Sequence, residues 1–532
     1  MRYLCWLLIL VSAAMARAQL PRRPNVLWIT CEDMSANLPS YGDPTVKTPT
    51  IDRLVGEGVR YTRMFSTAGV CAPSRSAIIS GMHANSIGTN HMRTNTASLK
   101  RADIPKYDAV PPPNVKCFTE YLRAAGYFCT NNAKTDYQFG NPATAWDENS
   151  PKAHWRNRSD QSQPFFSVFN LMVTHESQIW VRADQPLRVD PAKVKVPPYY
   201  PDTPLIRRDL ARYYDNIVVM DSLAGGILGQ LEADGLLDNT IVMFYSDHGA
   251  GLPWYKRELY ERGTHVPFVV RFPGKQRAGT TDTDLHSFVD LAPTMLSLTG
   301  VPIPKHLQGQ AFLGDRREKP RQVVFGARDR MDEHYDMVRT VRDGRYRYVR
   351  NFMPDKPHYQ DIAYRKQMPL MQEILRLRDA GQLTGVPARW FQTKPVEELY
   401  DLQADPHELT NLAGQPGQGA RLKQMRHALA DWMTDVGDKG ALPEREMVAL
   451  MYNGNEQPQT AAPTVRPGDA VTLNCPTEGA SIAYQLDGEE RWQLYHQPVR
   501  IPAGRTLRAK AIRYGYAESA VVSQPEPTTD KK

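Results

Sequence analysis

The sequence predicts an α/β fold: a mainly parallel sheet sandwiched by helices, then a smaller α+β subdomain and a terminal β-sandwich module. Short apolar segments of strand length alternate with helical patterns up to about residue 320, which is typical of a parallel sheet. Beyond residue 321 the segments read as strands and one amphipathic helix, and from about 463 only short strands and turns remain. The 532 residues exceed the roughly 250–300 at which one core stops growing, which indicates several domains.

The alternation starts at NVLWIT (25–30), a continuous apolar run typical of a strand buried on both faces. TIDRLVGEGVRYTRMF (50–65) predicts a helix followed by a strand, and CFTEYLRAAGYFCTNNAKT (117–135) repeats that order with Gly126 as the helix stop. Two more strands are predicted in 164–177 and 240–249, and the apolar spacing of 207–237 predicts a long amphipathic helix between them. HVPFVVRFPG (265–274) and LHSFVDLAPTMLSLTG (285–300) complete the first domain.

The later segments indicate two further units. RYRYVRNF (345–352) reads as a strand, 397–413 as a strand, a turn and the start of a helix, and 420–438 as an amphipathic helix. We therefore predict a signal peptide at 1–18, a catalytic α/β domain at 24–320, an α+β subdomain at 321–450 and a β-sandwich module at 463–524.

The first residues favour export. A short charged region, an apolar stretch too short to span a bilayer and an A-x-A site before Gln19 are typical of a secretory signal peptide. We expect an exported protein, periplasmic or secreted, with no integral membrane segment after cleavage. The net charge of +7 is spread thinly with no basic block, so no nucleic-acid partner is expected. Cys117 and Cys129 flank a predicted helix and could either pair or remain buried thiols.

Three predicted strands end in clusters of polar residues. Ligands of α/β sheets bind outside the carboxyl ends of the strands, so we expect these clusters at one edge. Carboxylate oxygens suit a hard divalent cation such as Ca²⁺ or Mg²⁺, and a histidine adds a nitrogen donor. Glu32-Asp33 alone would favour a solvated strand end with helix-capping carboxylates, but the combination of three clusters favours a cation site. The clusters are Glu32-Asp33, His175-Glu176 and Asp247-His248.

CAPSRSAIISG (71–81) raises the question of what Cys71 does. A cysteine can be half of a disulfide, a metal ligand, a buried apolar residue or a nucleophile. The segment resembles the signature of type I, formylglycine-dependent sulfatases of the alkaline phosphatase superfamily: C-x-P-S-R, then small residues and a glycine. PNVLWITCEDM, YSDHG and ELYDLQADPHELTNLA resemble other segments of that family in the same order, from about residue 24 to 438.

Two parts of the chain resemble narrower groups. From YPDTPLIRRDLARYY to SDHG the sequence is most similar to the branch that includes heparan N-sulfatase (sulfamidase). Residues 463–524 look like the C-terminal module of some chitobiases and hexosaminidases.

The resemblance implies that a dedicated maturation enzyme oxidises Cys71 to formylglycine. One hydroxyl of the aldehyde hydrate would attack sulfur as the alcohol leaves, and proton loss from the other would expel sulfate. The implied cation ligands are Glu32, Asp33, the modified Cys71, Asp247 and His248. The cation would polarise the sulfate oxygens; Ca²⁺ is expected first, with Mn²⁺ and Mg²⁺ as alternatives.

The family also suggests roles for the surrounding side chains. Arg75 would anchor the formylglycine hydroxyl and its turn, and Lys134 and Lys256 would hold the sulfate. His175 would protonate the leaving oxygen together with Lys256. The alternative interpretation of each residue alone is a structural or surface side chain.

Two departures from the family pattern bear on mechanism. The family's K-x-H becomes Lys134-Thr135-Asp136, so Asp136 would have to act as base beside an anionic substrate. The family's Asp-Asn metal pair becomes Asp247-His248, and an Asp-His pair also occurs in formylglycine-dependent phosphonate monoester hydrolases that use softer metals. His91 and Arg93 follow the signature helix and are candidates for substrate contact, with surface loop residues as the alternative.

We expect an exported sulfatase that hydrolyses sulfate esters, or sulfamates, of a sulfated carbohydrate. The sequence does not separate O-sulfate from N-sulfate cleavage. A formylglycine-dependent phosphonate monoester or phosphodiester hydrolase is one alternative, and a non-catalytic glycan-binding protein is another.

Overall fold

The computed structural model describes residues 23–95, 104–140, 142–454 and 456–524. The predicted signal peptide at 1–18 lies outside these residues. No helix in the described ranges combines the length and the apolar composition needed to cross a bilayer.

The strands of the first domain form one large sheet. In the described residues they run in the order β4-β3-β5-β1-β6-β7-β2-β8, with β9 also paired to β2. All neighbours are parallel except β7, which is antiparallel to both β6 and β2. The prediction of a mainly parallel sheet is confirmed. The strands are β1 (Asn25–Cys31), β2 (Val59–Phe65), β3 (Phe128–Asn132), β4 (Glu148–Asn149), β5 (Phe165–Leu171), β6 (Thr240–Ser246), β7 (His265–Arg271), β8 (Thr280–Asp282) and β9 (His286–Ser287).

Helices cover both faces of this sheet because successive residues of its strands point to opposite sides. Leu27 and Ile29 of β1 share a core with the long helix, whereas Val26 and Trp28 pack into a second core. Helices α1 and α6 lie in contact with each other, as do α2, α4 and α8. The helices of this domain are α1 (Pro49–Glu57), α2 (Cys71–Ser80), α3 (Ala84–Ile87), α4 (Phe118–Ala124), α5 (Ser177–Val181), α6 (Pro204–Ala233), α7 (Glu261–Thr264) and α8 (Leu291–Leu298).

A second, antiparallel sheet follows in the order β10 (Val324–Met331), β11 (His334–Arg342), β12 (Tyr346–Asn351) and β13 (Glu397–Asp401). Two helices between its last strands, α9 (Pro369–Asp379) and α10 (Gly385–Ala388), were not predicted, and α9 packs on α6. The amphipathic helix is α11 (Gly419–Asp435), followed by α12 (Glu444–Tyr452). The predicted helix start within 397–413 is wrong, because turns occupy the residues between β13 and α11.

The terminal module contains two small antiparallel sheets around one core. The first pairs β14 (Thr464–Arg466) with β15 (Thr472–Asn474). The second has the order β17-β16-β18-β19, formed by β16 (Ser481–Leu486), β17 (Gln493–Leu494), β18 (Leu507–Ile512) and β19 (Val522–Ser523). We propose domain limits of 24–320, 321–450 and 463–524, which the separate sheets support.

Candidate active site

The acidic clusters meet because β1 and β6 are parallel neighbours in register. Cys31 lies opposite Ser246, so the residues that follow each strand emerge at the same edge of the sheet. The backbone N–H of Asp33 donates to Asp247 Oδ1 at 3.0 Å. Glu32, Asp33, Asp247 and His248 are all fully buried. The sequence prediction that these four side chains converge is confirmed by their positions.

Cys71 is the first residue of α2, and its thiol faces this cluster. Its Sγ lies 3.3 Å from His248 Nε2, 3.7 Å from Glu32 Oε2 and 3.8 Å from Asp33 Oδ1. Burial raises the pKa of the Cys71 thiol, although the charges of Lys134 and Lys256 oppose this shift. An unmodified thiol here is therefore a weak nucleophile at neutral pH.

Arg75 lies one helical turn after Cys71 and ties three elements together. Its guanidinium bonds to the Glu32 carboxylate, donates from Nε to Asp247 Oδ2 at 3.2 Å and from Nη1 to Asn170 Oδ1 at 2.8 Å. Side-chain exposure is only 7%, so these charge-assisted bonds are shielded from water. Arg75 therefore fixes the acids relative to the helix that carries Cys71.

Two lysines hold the remaining carboxylate oxygens. Lys134 Nζ lies 2.6 Å from Glu32 Oε2, and Lys256 Nζ lies 2.6 Å from Asp33 Oδ2. Burial disfavours both carboxylates, but Arg75 and Lys134 around Glu32 outweigh it and hold the pKa of that carboxyl below its usual range. Lys256 and the nearby histidines lower the pKa of Asp33 in the same way. Both acids are therefore ionised at neutral pH.

His175 lies beside Lys256 at the edge of the cluster. Its Nε2 is 3.4 Å from Lys256 Nζ and 3.9 Å from Asp33 Oδ2, and its Nδ1 is 2.8 Å from Ser177 Oγ. Burial and the charge of Lys256 lower the pKa of the His175 imidazole. The structure thus brings His175 and Lys256 to one side of the position where Cys71 points.

The donor set fits a divalent cation. The carbonyl of Gly249 can only accept, so His248 Nδ1 donates to it at 2.9 Å and Nε2 is left facing Asp33 Oδ1, also at 2.9 Å. Burial opposes the charge of His248, but Asp247 and Asp33 outweigh it and raise the pKa of this imidazole, so without a cation Nε2 carries a proton towards Asp33. A cation bound between these two atoms would replace that proton, with both atoms as lone-pair donors. Asp33, Cys71, Asp247 and His248 offer ligand atoms within 4.8 Å of one another, as do Glu32, Asp33, Cys71 and His175. The family's divalent metal can therefore be accommodated by these residues.

Backbone packing leaves no room to widen this cluster. A Cβ added at Gly251 would lie 2.9 Å from Asp33 Oδ2 and 2.9 Å from the Cα of Glu176. Asp33 itself has a φ of 50°, a left-handed conformation that non-glycine residues rarely adopt. Both features hold the Asp33 carboxylate at one position.

Asp136 and Arg93 carry polar groups with unused hydrogen-bonding capacity. Asp136 Oδ2 lies 3.8 Å from Lys134 Nζ, and it is buried without a hydrogen-bond partner among the described residues. The Arg93 side chain is 33% exposed, and its only ion pair within the described ranges is with Asp332 Oδ1 at 4.0 Å. Burial opposes the charge of Arg93, but the charges of Asp136 and Cys71 outweigh it and raise the pKa. Arg93 is therefore close enough to Asp136 and Cys71 for their charges to act on it.

His91 has a different environment from the other predicted site residues. It is 1% exposed, its Nδ1 accepts from the backbone N–H of Arg330 at 3.3 Å, and its ring packs against Tyr335 at 6.1 Å. These contacts join the segment after α3 to β10 and β11. They favour a structural role, and substrate contact by His91 stays a prediction.

The structure adds a network that the sequence reasoning missed. The Glu176 carboxylate accepts two bonds from Arg257, at 3.0 and 2.9 Å, and lies 3.0 Å from Lys256 Nζ. Arg257 Nε also donates to Asp332 Oδ2 at 3.0 Å. Glu176 was predicted at the strand-end edge, although not with these partners, and Arg257 adjoins the predicted Lys256. No sequence signal pointed to Asp332 or Asn170, which come from distant segments.

Comparisons with known proteins identify this arrangement. Residues 24–301 match the family model described as "Sulfatase", and residues 249–369 match "N-sulphoglucosamine sulphohydrolase, C-terminal". Residues 460–523 match "Chitobiase/beta-hexosaminidase C-terminal domain". These matches bear out the resemblances read from the sequence.

Individual proteins agree with the family models. The chain is 45% identical to an ulvan-active sulfatase of Formosa agariphila, over 95% of this chain and 91% of that protein. It is 28% identical to human N-sulphoglucosamine sulphohydrolase, over 82% of this chain and 93% of that protein. A structure solved with its substrate D-glucosamine-2-N,6-O-disulfate shares the fold, with a TM-score of 0.57 at 17% identity over 80% of this chain and all of that one. The chain belongs to the sulfatase family of the alkaline phosphatase superfamily and is therefore a sulfuric ester hydrolase.

Proposed function

We propose that this protein hydrolyses sulfate esters, or sulfamates, of a sulfated carbohydrate. The observation that carries this proposal is the position of Cys71, whose Sγ lies within 3.8 Å of Glu32, Asp33 and His248 at the start of a helix. The substrate class is supported by relatives named as an ulvan-active sulfatase and an N-sulphoglucosamine sulphohydrolase.

Cys71 is modified to formylglycine by a maturation enzyme in this proposal. The support is the C-x-P-S-R spacing from Cys71 to Arg75 and the position of Cys71 at the start of α2, where its thiol faces the acids. Formylglycine supplies a hydroxyl nucleophile in place of the thiolate. Ser74 Oγ donates to the backbone carbonyl of Asp247 at 2.6 Å, and Arg75 donates to the carboxylate of the same residue. The first turn of α2 is therefore held against Asp247.

Glu32, Asp33, Asp247, His248 and the modified residue 71 would hold one divalent cation. When bound, such a cation polarises the sulfate oxygens and favours the ionised nucleophile. Three carboxylates favour Ca²⁺, whereas the imidazole of His248 shifts the preference towards Mn²⁺, and Mg²⁺ is the third candidate.

The other side chains bind substrate and move protons. Lys134 and Lys256 bind the sulfate, where fixed cations offset the charge that develops on its oxygens. His175, with Lys256, donates a proton to the leaving oxygen or nitrogen as its bond to sulfur breaks. The side of the cluster that carries His175 would therefore receive the sugar.

Asp136 replaces the family histidine as the proton acceptor in the elimination of sulfate. Its Oδ2 is buried without a hydrogen-bond partner in the described ranges, so it can accept a proton or a hydrogen bond from a group in the site. Arg93 donates to an anionic or hydroxyl group of the substrate, since its five N–H donors make no hydrogen bond to the rest of the described structure. His91 remains a weaker candidate for substrate contact.

We propose that the protein is exported to the periplasm or secreted. The support is the charged, apolar and A-x-A pattern at the start of the chain. The proposed partners are the sulfated saccharide and the maturation enzyme, which would act on the chain before or during export.

Peptide mass analysis around residue 71, after expression with a formylglycine-generating enzyme, tests the modification directly. We expect the aldehyde form and turnover of sulfated saccharides, with loss of turnover in Cys71→Ala. Cys475→Ala is the matched control, because Cys475 is a free cysteine of the terminal module. An active sample in which Cys71 remains a thiol would refute the proposal.

A second candidate function rests on His248. The Asp-His pair favours a phosphonate monoester or phosphodiester hydrolase on the same scaffold. Sulfate ester and phosphodiester turnover should be measured on one fully modified sample, with 4-nitrophenyl sulfate and bis(4-nitrophenyl) phosphate as probes. Higher kcat/KM for the phosphodiester would favour this second function over the first.

A further inference from the structure

The segment that carries Lys134 and Asp136 has a backbone conformation that it cannot hold by itself. Asp136 and Gln138 have φ values of 56° and 66°, in the left-handed region that non-glycine residues rarely adopt. Such residues persist only where the surrounding structure holds them. The contacts around 134–139 therefore decide where the two proposed site residues lie.

Hydrogen bonds inside the catalytic domain hold only part of this segment. Asn131 Nδ2 donates to the carbonyl of Lys134 at 3.1 Å, and the backbone N–H of Ala109 donates to the carbonyl of Gln138 at 2.7 Å. The side chain of Gln138 also donates to the carbonyl of His91, and that of Lys134 to Glu32. The segment then ends at Phe139, whose ring is 5% exposed. Its cover comes from another part of the chain.

Phe139 stacks on Tyr514 of the terminal module. The ring centroids are 4.9 Å apart and the planes differ by 8°. The hydroxyl of Tyr514 accepts from the backbone N–H of Cys117 at 3.1 Å and donates to Glu120 Oε1 at 2.7 Å. Tyr514 is thus fixed by the start of α4 and presses on the end of the segment that carries Lys134 and Asp136.

The module approaches the catalytic domain too closely to be a tethered appendage. A Cβ added at Gly515 would lie 2.3 Å from the carbonyl oxygen of Ala109, and one at Gly479 would lie 2.5 Å from that of Pro113. Lys116 Nζ donates to the carbonyl of Gly479 at 2.6 Å. Three residues of the module also belong to the core that holds Phe139 and the residues of α4, namely Ala483, Ile512 and Tyr514.

We infer that the terminal module positions the active-site segment 134–139, with Tyr514 as the positioning residue. The module completes the apolar core beneath Phe139 and thereby keeps Lys134 and Asp136 in place. Its effect on catalysis rests on the function proposed above, whereas its effect on the segment does not. Glycan binding by the module is the competing interpretation, and a comparison of polysaccharide binding with kcat separates the two.

The first measurement is backbone amide exchange in the full-length protein. In Tyr514→Leu we expect exchange of the Ala109 amide, which donates to the carbonyl of Gln138, to accelerate by about tenfold or more, with β1 and α6 unchanged. Tyr516→Leu is the matched control, since Tyr516 is a half-buried tyrosine two residues along the same module. Unchanged protection of the Ala109 amide in Tyr514→Leu would overturn the inference, whatever reaction the protein catalyses.

The second measurement is a double-mutant cycle between Tyr514→Leu and Lys134→Ala with 4-nitrophenyl sulfate. Misplacement of a catalytic group by about 1 Å can cost about a hundredfold, so we expect kcat to fall by tenfold to a hundredfold in Tyr514→Leu while KM changes by less than about threefold. In the Lys134→Ala background the same change should lower kcat by less than about threefold. Fully additive losses would show that Tyr514 does not act through Lys134.

Two conservative variants keep the test interpretable. Tyr514→Phe retains the stacked ring and should retain most of kcat. Phe139→Leu removes the stack from the other side, and it takes the place of Tyr514→Leu in both measurements if Tyr514→Leu does not fold. A sulfated polysaccharide provides the last probe. If Tyr514→Leu weakens polysaccharide binding but leaves kcat for 4-nitrophenyl sulfate unchanged, the module is a glycan-binding unit and the inference fails.

Discussion

Replacement of Arg75 by lysine tests whether Arg75 assembles the active site in addition to stabilising the fold. Lysine keeps the charge but loses the planar fork that reaches Glu32, Asp247 and Asn170 together. The lysine ammonium can replace one of these contacts, so two buried acceptors lose a donor. Glu32 and Asp247 are among the proposed cation ligands, and we expect both to reorient.

The size of the effect follows from the bonds that are lost. Hydrogen bonds to charged groups contribute about 1.5–3 kcal/mol each, so two of them amount to about 3–6 kcal/mol. If about 3 kcal/mol of this appears in the transition state, kcat/KM falls by about 150-fold.

The assay combines urea unfolding, cation titration by calorimetry and kcat/KM on one preparation. Arg339→Lys is the matched control, because Arg339 is also fully buried and bonded to two acids, Asp329 and Asp438, outside the cluster. We expect both variants to lose similar stability, and only Arg75→Lys to lose cation affinity and turnover. Cation affinity and kcat/KM within about threefold of the parent in Arg75→Lys would refute the reasoning.

Three further outcomes are expected. Chelation of the cation should lower turnover by at least about a hundredfold, because the buried carboxylates need a cation to bind sulfate. Readdition of Ca²⁺ or Mn²⁺ shows which ion restores turnover, and activity that survives complete chelation would exclude a catalytic cation. Arg93→Gln should lower kcat/KM for a sulfated saccharide by about tenfold or more. Arg421→Gln is the control and should not lower it, because Arg421 has a similar side-chain exposure of 36% and one ion pair at 3.6 Å. Equal kcat/KM values in both variants would leave Arg93 without a role in substrate binding. Burial raises the pKa of Asp209 from 3.8 to about 6, although the backbone N–H of Leu370 opposes this. The stability from this raised pKa is present below pH 3.8 and is lost as pH rises from 3.8 through about 6. The parent should therefore lose about 2 kcal/mol of unfolding free energy from pH 4 to 7 relative to Asp209→Asn, as measured by urea unfolding; identical pH profiles would contradict the shift.

Much of the fold was predictable because its signals are local. Buried strands such as 25–30 are recognised from their own apolar residues, and the amphipathic spacing of 207–237 fits α6 closely. The reversed direction of β7 was not predictable, because strand direction depends on which neighbour the segment pairs with. Helix α9 was missed because it is short and packs against α6 from a distant segment.

Some features of the candidate site were likewise predictable from the sequence, and others were not. The parallel register of β1 and β6 follows from the fold class, so the meeting of Glu32 and Asp33 with Asp247 and His248 was predictable from their places after two strands. The contacts of His91 were not, because they depend on Arg330 and Tyr335 of the second sheet.

The sequence alone determined the family, and it led to the proposed cation ligands at the strand ends and the proposed modification of Cys71, because these depend on residue types at short, fixed spacings. Only the tertiary structure decided which side chains surround them: Glu176 and Arg257 against Lys256, Asp332 beside Arg93, and Tyr514 beneath the segment that carries Lys134. The physical reason is that such contacts join residues far apart in the chain, and they exist only once the core has packed its layers together.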